Sequence, residues 1–239
     1  MTKDKISRYQ NTVLKTLANR IDDFYLVGGT ALSLFYFQHR KSLDLDFFTR
    51  NFKYPRVKEI IEYLKMTLKI KVKIIAQSLE EGKVKIVVCN IHFGSRDALK
   101  IDFVEDTLDL IKRPRAVEGI NVLSLEDIYL RKIYAATGMV RALDEIGRKE
   151  FAGGRQEAKD LYDLYFLSHT FMPVSNFADK YCNITIKEGL IRWFHTFDRM
   201  AMMDGILTLD INKKIDYKEL EKHFKKEINK IVEKQLGEV

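Results

Sequence analysis

The sequence predicts an α+β protein. Its first half reads as a mixed sheet of about four or five strands flanked by helices, and its second half reads as helical. Three observations predict this. Short runs of strand character lie at 24–28, 42–48, 71–78, 83–93 and 98–106, all before residue 107. Helix-period segments interrupt them at 29–37 and 55–68. From Ser124 onward only the helical period remains.

Taken in order, residues 5–20 predict a helix. FYLVG (24–28) is a short buried strand, and GTALSLFYF (29–37) is a helix starting at a glycine turn. SLDLDFF (42–48) alternates like a strand. PRVKEIIEYLKMTL (55–68) is a helix opened by Pro55, whose missing N–H is no loss in a first turn. KVKIIAQS (71–78), KVKIVVCNIHF (83–93) and ALKIDFVED (98–106) follow as strands, with LEEGK as the turn between the first two. Pro114 and Gly119 punctuate KRPRAVEGINVLS, which places the boundary between domains at 1–121 and 122–239. Helices are expected beyond it at 124–137, 155–169, 185–200 and 216–236.

The chain has 239 residues, 46% hydrophobic and 31% charged, enough for a sizeable core. No stretch approaches the ~20 apolar residues of a membrane span. The start, MTKDKISRYQ, lacks the apolar run of a signal peptide. A cytoplasmic location is the expectation. Cys89 and Cys182 have no CxxC spacing, so two buried, reduced thiols are expected rather than a zinc site. The net charge of +7 falls entirely in residues 1–121, with 22 basic and 15 acidic residues. Such a surface attracts phosphates, from nucleotides to nucleic acid, although many proteins are mildly basic with no such role.

The run FYLVGGTALSLFYFQHRKSLDLDFF (24–48) carries the chemistry. On a strand, Ser42, Asp44, Asp46 and Phe48 share one face, and Leu43, Leu45 and Phe47 share the other. Asp44 and Asp46 then stand side by side, about 6–7 Å apart along the backbone. Two carboxylates so close repel unless a cation offsets them. Asp102, in mid-strand between core residues, adds a third acid if its strand pairs beside the first. A cluster of this kind holds two magnesium ions about 3.5–4 Å apart, as in-line phosphoryl or nucleotidyl transfer requires. Gly28 and Gly29 end a strand and open a helix whose first N–H groups suit a phosphate, with the Thr30 hydroxyl as a further donor. Each element has a plainer reading: a solvated DxD, an ordinary turn, an isolated buried acid. The ordered set is harder to explain that way. Neither a Walker A loop nor a dinucleotide fingerprint is present.

These residues resemble the AbiEii/AbiGii toxin family of nucleotidyltransferases, within the polymerase-β-like superfamily. The first family motif reads here as Gly28-Gly29-Thr30, His39-Arg40, Ser42, Asp44 and Asp46. The second, Lys-x-Asp, reads as Lys100-Ile101-Asp102. The third reads as Asp127 and Lys132 in EDIYLRK. The fourth reads as Arg155, Lys159, Asp160 and Asp163 in RQEAKDLYDL. The four appear in order over residues 28–163. The resemblance implies a catalytic α/β half and a helical half that completes the nucleotide site and contacts the acceptor. It implies Mg²⁺-dependent transfer of an NMP from an NTP, with the 3′ end of tRNA as acceptor. It also implies a toxin of a toxin–antitoxin or phage-defence system, with a cognate antitoxin as partner. On this basis Asp44, Asp46 and Asp102 are the catalytic and metal-binding candidates. Gly28, Gly29, Thr30, Ser42, Lys100, Lys132, Lys159 and Asp160 are the nucleotide-binding ones. Gly-Gly stands where the wider superfamily often has Gly-Ser.

Other features keep two readings. Lys132 is a point charge for a triphosphate or a solvated lysine. Lys159 and Asp163 form an i, i+4 pair, and Asp160 or Asp163 is placed to orient Lys132. Lys112, Arg113 and Arg115 are RNA-phosphate contacts or a solvated linker. Phe35, Tyr36, Phe37 and Trp193 are expected in the core. His39 and His195 are not required by the mechanism. The charged C-terminal helix is a solvated face or a contact for an antitoxin or a second copy. The competing functions are a non-catalytic nucleotide- or RNA-binding regulatory module, and nucleotidyl transfer to a protein or small molecule.

Overall fold

The computed structural model describes residues 3–94, 97–138, 140–143, 149–152 and 154–237. Chain contacts divide it into two units, Met1–Ser124 and Leu125–Val239.

In the first unit the elements run α1 (Lys3–Leu17), β1 (Tyr25–Leu26), α2 (Gly28–Phe35), β2 (Asp44–Thr49), α3 (Tyr54–Leu68), β3 (Lys71–Ser78), β4 (Ile86–His92), β5 (Ala98–Glu105), β6 (Arg115–Val117) and β7 (Ile120–Val122). The strands form one seven-stranded sheet in the order β3-β4-β5-β2-β1-β7-β6. The β2–β5 and β1–β7 pairs are parallel and the others antiparallel. The sheet is therefore mixed, with two strands more than the expected upper figure. The extra pair, β6 and β7, comes from the segment that reads as a linker. Glu118 (φ 51°) and Gly119 (φ 79°) both adopt the left-handed conformation. They make a two-residue hairpin loop between the Val117–Ile120 pair, and the connection becomes an edge of the sheet.

Alternation explains the layers. Leu45 and Phe47 of β2, Val87, Cys89 and Ile91 of β4, and Leu99, Ile101 and Phe103 of β5 are all buried on one face. Val13 and Leu17 of α1 and Val57, Ile60, Ile61 and Leu64 of α3 supply the apolar helix surface of the same core. Each such side chain contributes roughly 1.5–3 kcal/mol by leaving water. The opposite face of β2 and β5 is only partly buried, and the acidic residues stand on it. Leu43 departs from the expected pattern: it precedes β2 and is exposed.

The second unit comprises α4 (Leu125–Thr137), β8 (Val140–Leu143), β9 (Lys149–Ala152), α5 (Ala158–Thr170), α6 (Val174–Tyr181), α7 (Ile184–Thr196), α8 (Arg199–Thr208) and α9 (Tyr217–Gly237). It is not purely helical, since β8 and β9 pair antiparallel. The helix expected at 185–200 is two helices. Phe197 ends α7, and the Asp198 carboxylate caps α8 by accepting from the Ala201 N–H at 3.0 Å. Trp193 is in the core as expected, edge-on to Phe224. Tyr129 stacks on Phe177 with ring centroids 4.1 Å apart. Both cysteines are buried free thiols. Among the described residues no helix is long and apolar enough to cross a membrane.

Candidate functional site

Strand register creates the site. On the parallel pair β2–β5, Asp46 lies opposite Asp102, and Asp44 lies opposite Lys100. Opposed residues on neighbouring strands project to the same side, about 4.8 Å apart. Asp44, Asp46, Lys100 and Asp102 thus form a two-by-two array on the partly open face. No short-range sequence signal specifies this pairing, because 56 positions separate Asp46 from Asp102.

The glycine turn abuts the array. Gly28 has φ +71°, and a Cβ placed on it would meet Asp46 Oδ2 at 2.8 Å. The Asp46 carboxylate therefore rests against the first residue of α2. A Cβ on Gly29 would collide with the Arg40 guanidinium and meet Ser42 Oγ at 3.1 Å. The N-cap residue Val27 makes no side-chain cap bond to α2, and helix geometry gives the first-turn N–H groups no intrahelical acceptor, the arrangement that suits an anion. Ser42 Oγ donates to Asp44 Oδ1 at 3.2 Å. Thr30 differs from the expectation. It is fully buried, and its hydroxyl donates to the Asp44 carbonyl at 2.6 Å. That proton is committed to holding the acid strand rather than offered to a phosphate. The Gln10 amide completes the support, donating to the Ser42 and Asp44 carbonyls at 3.1 and 3.0 Å.

Electrostatics follow from this geometry. Lys100 Nζ lies 2.6 Å from Asp102 Oδ2. Burial acts to lower the Lys100 pKa, but the hydrogen bond to Asp102 and the charges of Asp102, Asp44 and Asp46 outweigh it, and the net shift is upward. Burial raises the Asp102 pKa; Lys100 opposes this, and the Asp44 charge adds to it. The other oxygen, Asp102 Oδ1, is buried without a hydrogen-bond partner. An unsatisfied carboxylate oxygen beside two further carboxylates fits the hard-oxygen chemistry of Mg²⁺. The fit is of donor type and register. Among the described residues no three carboxylate, imidazole or thiol groups are gathered closely enough to hold a metal ion, and Asp102 Oδ2 faces the Lys100 ammonium.

The third and fourth sequence motifs meet in the second unit. Lys132 Nζ sits 2.7 Å from both Asp160 Oδ1 and Asp163 Oδ2. Its side chain is 7% exposed, and theirs are 1% and 0%. Arg155 Nε approaches Asp160 Oδ2 at 3.0 Å. The ammonium expected to reach a triphosphate is held as a buried brace between α4 and α5. Both acids orient it. Lys159 pairs with Glu157 at 2.7 Å instead of with Asp163, which points inward. Asp127 is fully buried and pairs with Arg131 at 3.3 Å.

Two contributors have no assigned role in the sequence pattern. Arg40 stands in the first motif, and its buried guanidinium packs on Gly29. Gln10 carries no motif signal at all. A cavity of about 890 Å³ in the first unit lies at the far end of β1 and β2, lined by Arg50, Arg56 and Arg113 among others. It includes none of the candidate residues. Arg115 lies over the Tyr36 ring, 4.8 Å from its centroid.

Comparison with known proteins bears on the family and the fold. The family described as "Nucleotidyl transferase AbiEii toxin, Type IV TA system" matches residues 13–239. The crystal structure of JHP933 from Helicobacter pylori superposes with a TM-score of 0.58 at 18% identity, covering 98% of this chain and 95% of that one. A candidate nucleotidyltransferase from H. pylori superposes with a TM-score of 0.61 at 17% identity, covering 97% and 95%. At such identities these structures speak to the fold. No curated protein matches the sequence.

Proposed function

The chain belongs to the AbiEii nucleotidyltransferase toxin family, and from that premise we propose that it moves an NMP from an NTP to the 3′-terminal hydroxyl of tRNA. Family membership supports an NTP substrate and a toxin–antitoxin setting with a cognate antitoxin. The observation that carries the reading is the register of Asp46 on Asp102, with Asp44 on the same face and Gly28 against Asp46.

Asp44, Asp46 and Asp102 are the residues that would hold Mg²⁺, as two ions. Bound there, the ions offset charge on the attacking and leaving oxygens. The chain's own groups do the rest. The first-turn amides of Gly28, Gly29 and Thr30 bind phosphate oxygens, assisted by the α2 dipole. Ser42 and Gln10 hold the Asp44 segment in place. Lys100, released from Asp102, pairs with a phosphate. Asp102, whose pKa burial raises, accepts the proton of the acceptor hydroxyl. The acceptor oxygen bonds to the α-phosphorus as the bond to the bridging oxygen breaks, and pyrophosphate departs.

The test uses each NTP labelled at the α-phosphate, Mg²⁺ and total cell RNA or protein. Label is expected in RNA of tRNA size with release of pyrophosphate. Asp44→Asn is expected to abolish labelling with an unchanged melting curve. Wild-type labelling by Asp44→Asn would overturn the site assignment. Label confined to protein or to small molecules would overturn the choice of acceptor.

A further inference from the structure

Beyond the acids, the same sheet face continues across β4 to the edge strand β3. The pairing register gives its rungs. One reads Asp44, Lys100, Asn90, Lys73 across β2, β5, β4 and β3. The neighbouring rung toward the start of β5 places His92 between Ala98 and Lys71. Opposed residues share a side, so Lys71, Lys73 and Lys100 all stand on the face that carries the acids. The matching rungs of the reverse face are uncharged, with Leu45, Ile101 and Cys89 in one. Lys71 and Lys73 are exposed, and neither has an ion pair or side-chain hydrogen bond among the described residues. His92 Nε2 is buried without a partner.

We propose that this face of β5–β4–β3 is the track on which the single-stranded end of the acceptor RNA lies, with its phosphates on Lys73 and Lys71. The proposal rests on the transfer reading above and names where its acceptor sits. Two features favour nucleic acid. The positive charge is one-sided, and it is continuous with the rung that carries Asp44. Lys73 stands three strand spacings from Asp44, about 14 Å at roughly 4.8 Å each. That span matches about four stacked nucleotides at about 3.4 Å each. Edge lysines also deter unwanted strand pairing, a role that needs no nucleic acid.

The experiment separates these roles. Binding of a fluorescein-labelled, single-stranded 12-nucleotide RNA to the full chain is followed by anisotropy over a range of KCl concentrations. Lys71→Gln/Lys73→Gln is expected to weaken binding on the order of tenfold. It should also reduce the slope of log K against log salt by about 1.4, about 0.7 for each single-strand phosphate no longer neutralised. Mg²⁺-dependent binding of a fluorescent NTP analogue and the melting curve should not change. Affinity and slope equal to wild type in Lys71→Gln/Lys73→Gln would overturn the track and leave edge protection, as would a wild-type protein that does not bind the RNA. The outcomes remain distinct from those for the transfer reading. An active Asp44→Asn sinks the site assignment and a wild type that labels no acceptor sinks the transfer reading, whereas unchanged RNA binding in the lysine variant beside a wild type that labels RNA sinks the track alone.

Discussion

Gly28→Ala tests whether the seat of Asp46 matters. Two costs are built into that substitution. The first is backbone: at φ +71° an L side chain is strained by roughly 1–2 kcal/mol. The second is local. The new Cβ would stand 2.8 Å from Asp46 Oδ2, and ordinary contact begins at 3.4 Å, so the carboxylate must retreat by about 0.6 Å. Displacements near 1 Å in a reacting constellation cost on the order of 10²-fold in rate. Gly82→Ala isolates the first cost, because Gly82 has φ +78° and nothing within 4 Å of an added Cβ. Both variants are expected to lose roughly 1–2 kcal/mol in urea unfolding. Only Gly28→Ala should lose nucleotidyl transfer, by several tens-fold to about 10²-fold. The assay is incorporation of α-labelled nucleotide at saturating NTP. Equal activity in the two variants would refute the argument. So would a Gly28→Ala unfolding loss above about 3 kcal/mol, which would make the defect one of folding.

Two further outcomes are expected. Lys132→Met leaves Asp160 and Asp163 buried with one compensating charge removed and should cost about 3–5 kcal/mol in urea unfolding. Adding Asp163→Asn should recover part of that loss, because Asp160 keeps Arg155. Glu227 should make the second unit acid-sensitive. Burial alone would raise its pKa, but Lys230 and two hydrogen bonds donated by Ser175 outweigh burial and hold it below its ordinary 4.5. Its stabilising contribution is therefore present above pH 4.5 and lost as the pH falls through the depressed folded value. Unfolding midpoints compared at neutral and acid pH should show wild type losing more than Glu227→Gln.

Local regularities are legible in the sequence. Alternation over 44–48 and 98–105 is a property of consecutive residues, and it puts Asp44, Asp46 and Asp102 opposite the apolar core before any pairing is known. The glycine pair at a strand–helix junction and the burial of both cysteines can be read the same way. The thiols are pushed up to about 12, by burial first, as buried unpaired thiols should be. Less local features cannot be read. The Glu118-Gly119 hairpin resembles a boundary, because a left-handed pair marks a turn without saying whether its flanks find partner strands. The β1–β7 contact at Leu26 and Val122 supplies that partner.

The order of motifs and the side on which each acid stands were properties of the sequence alone, since period-two geometry assigns a face without knowledge of neighbours. Which acid meets which was decided by tertiary structure. Asp46 faces Asp102, Asp44 faces Lys100, Thr30 spends its hydroxyl on a carbonyl, and Lys132 is shut between two aspartates. A charge or a hydroxyl takes the partner that packing brings within about 3 Å, and packing is set by apolar side chains far away along the chain.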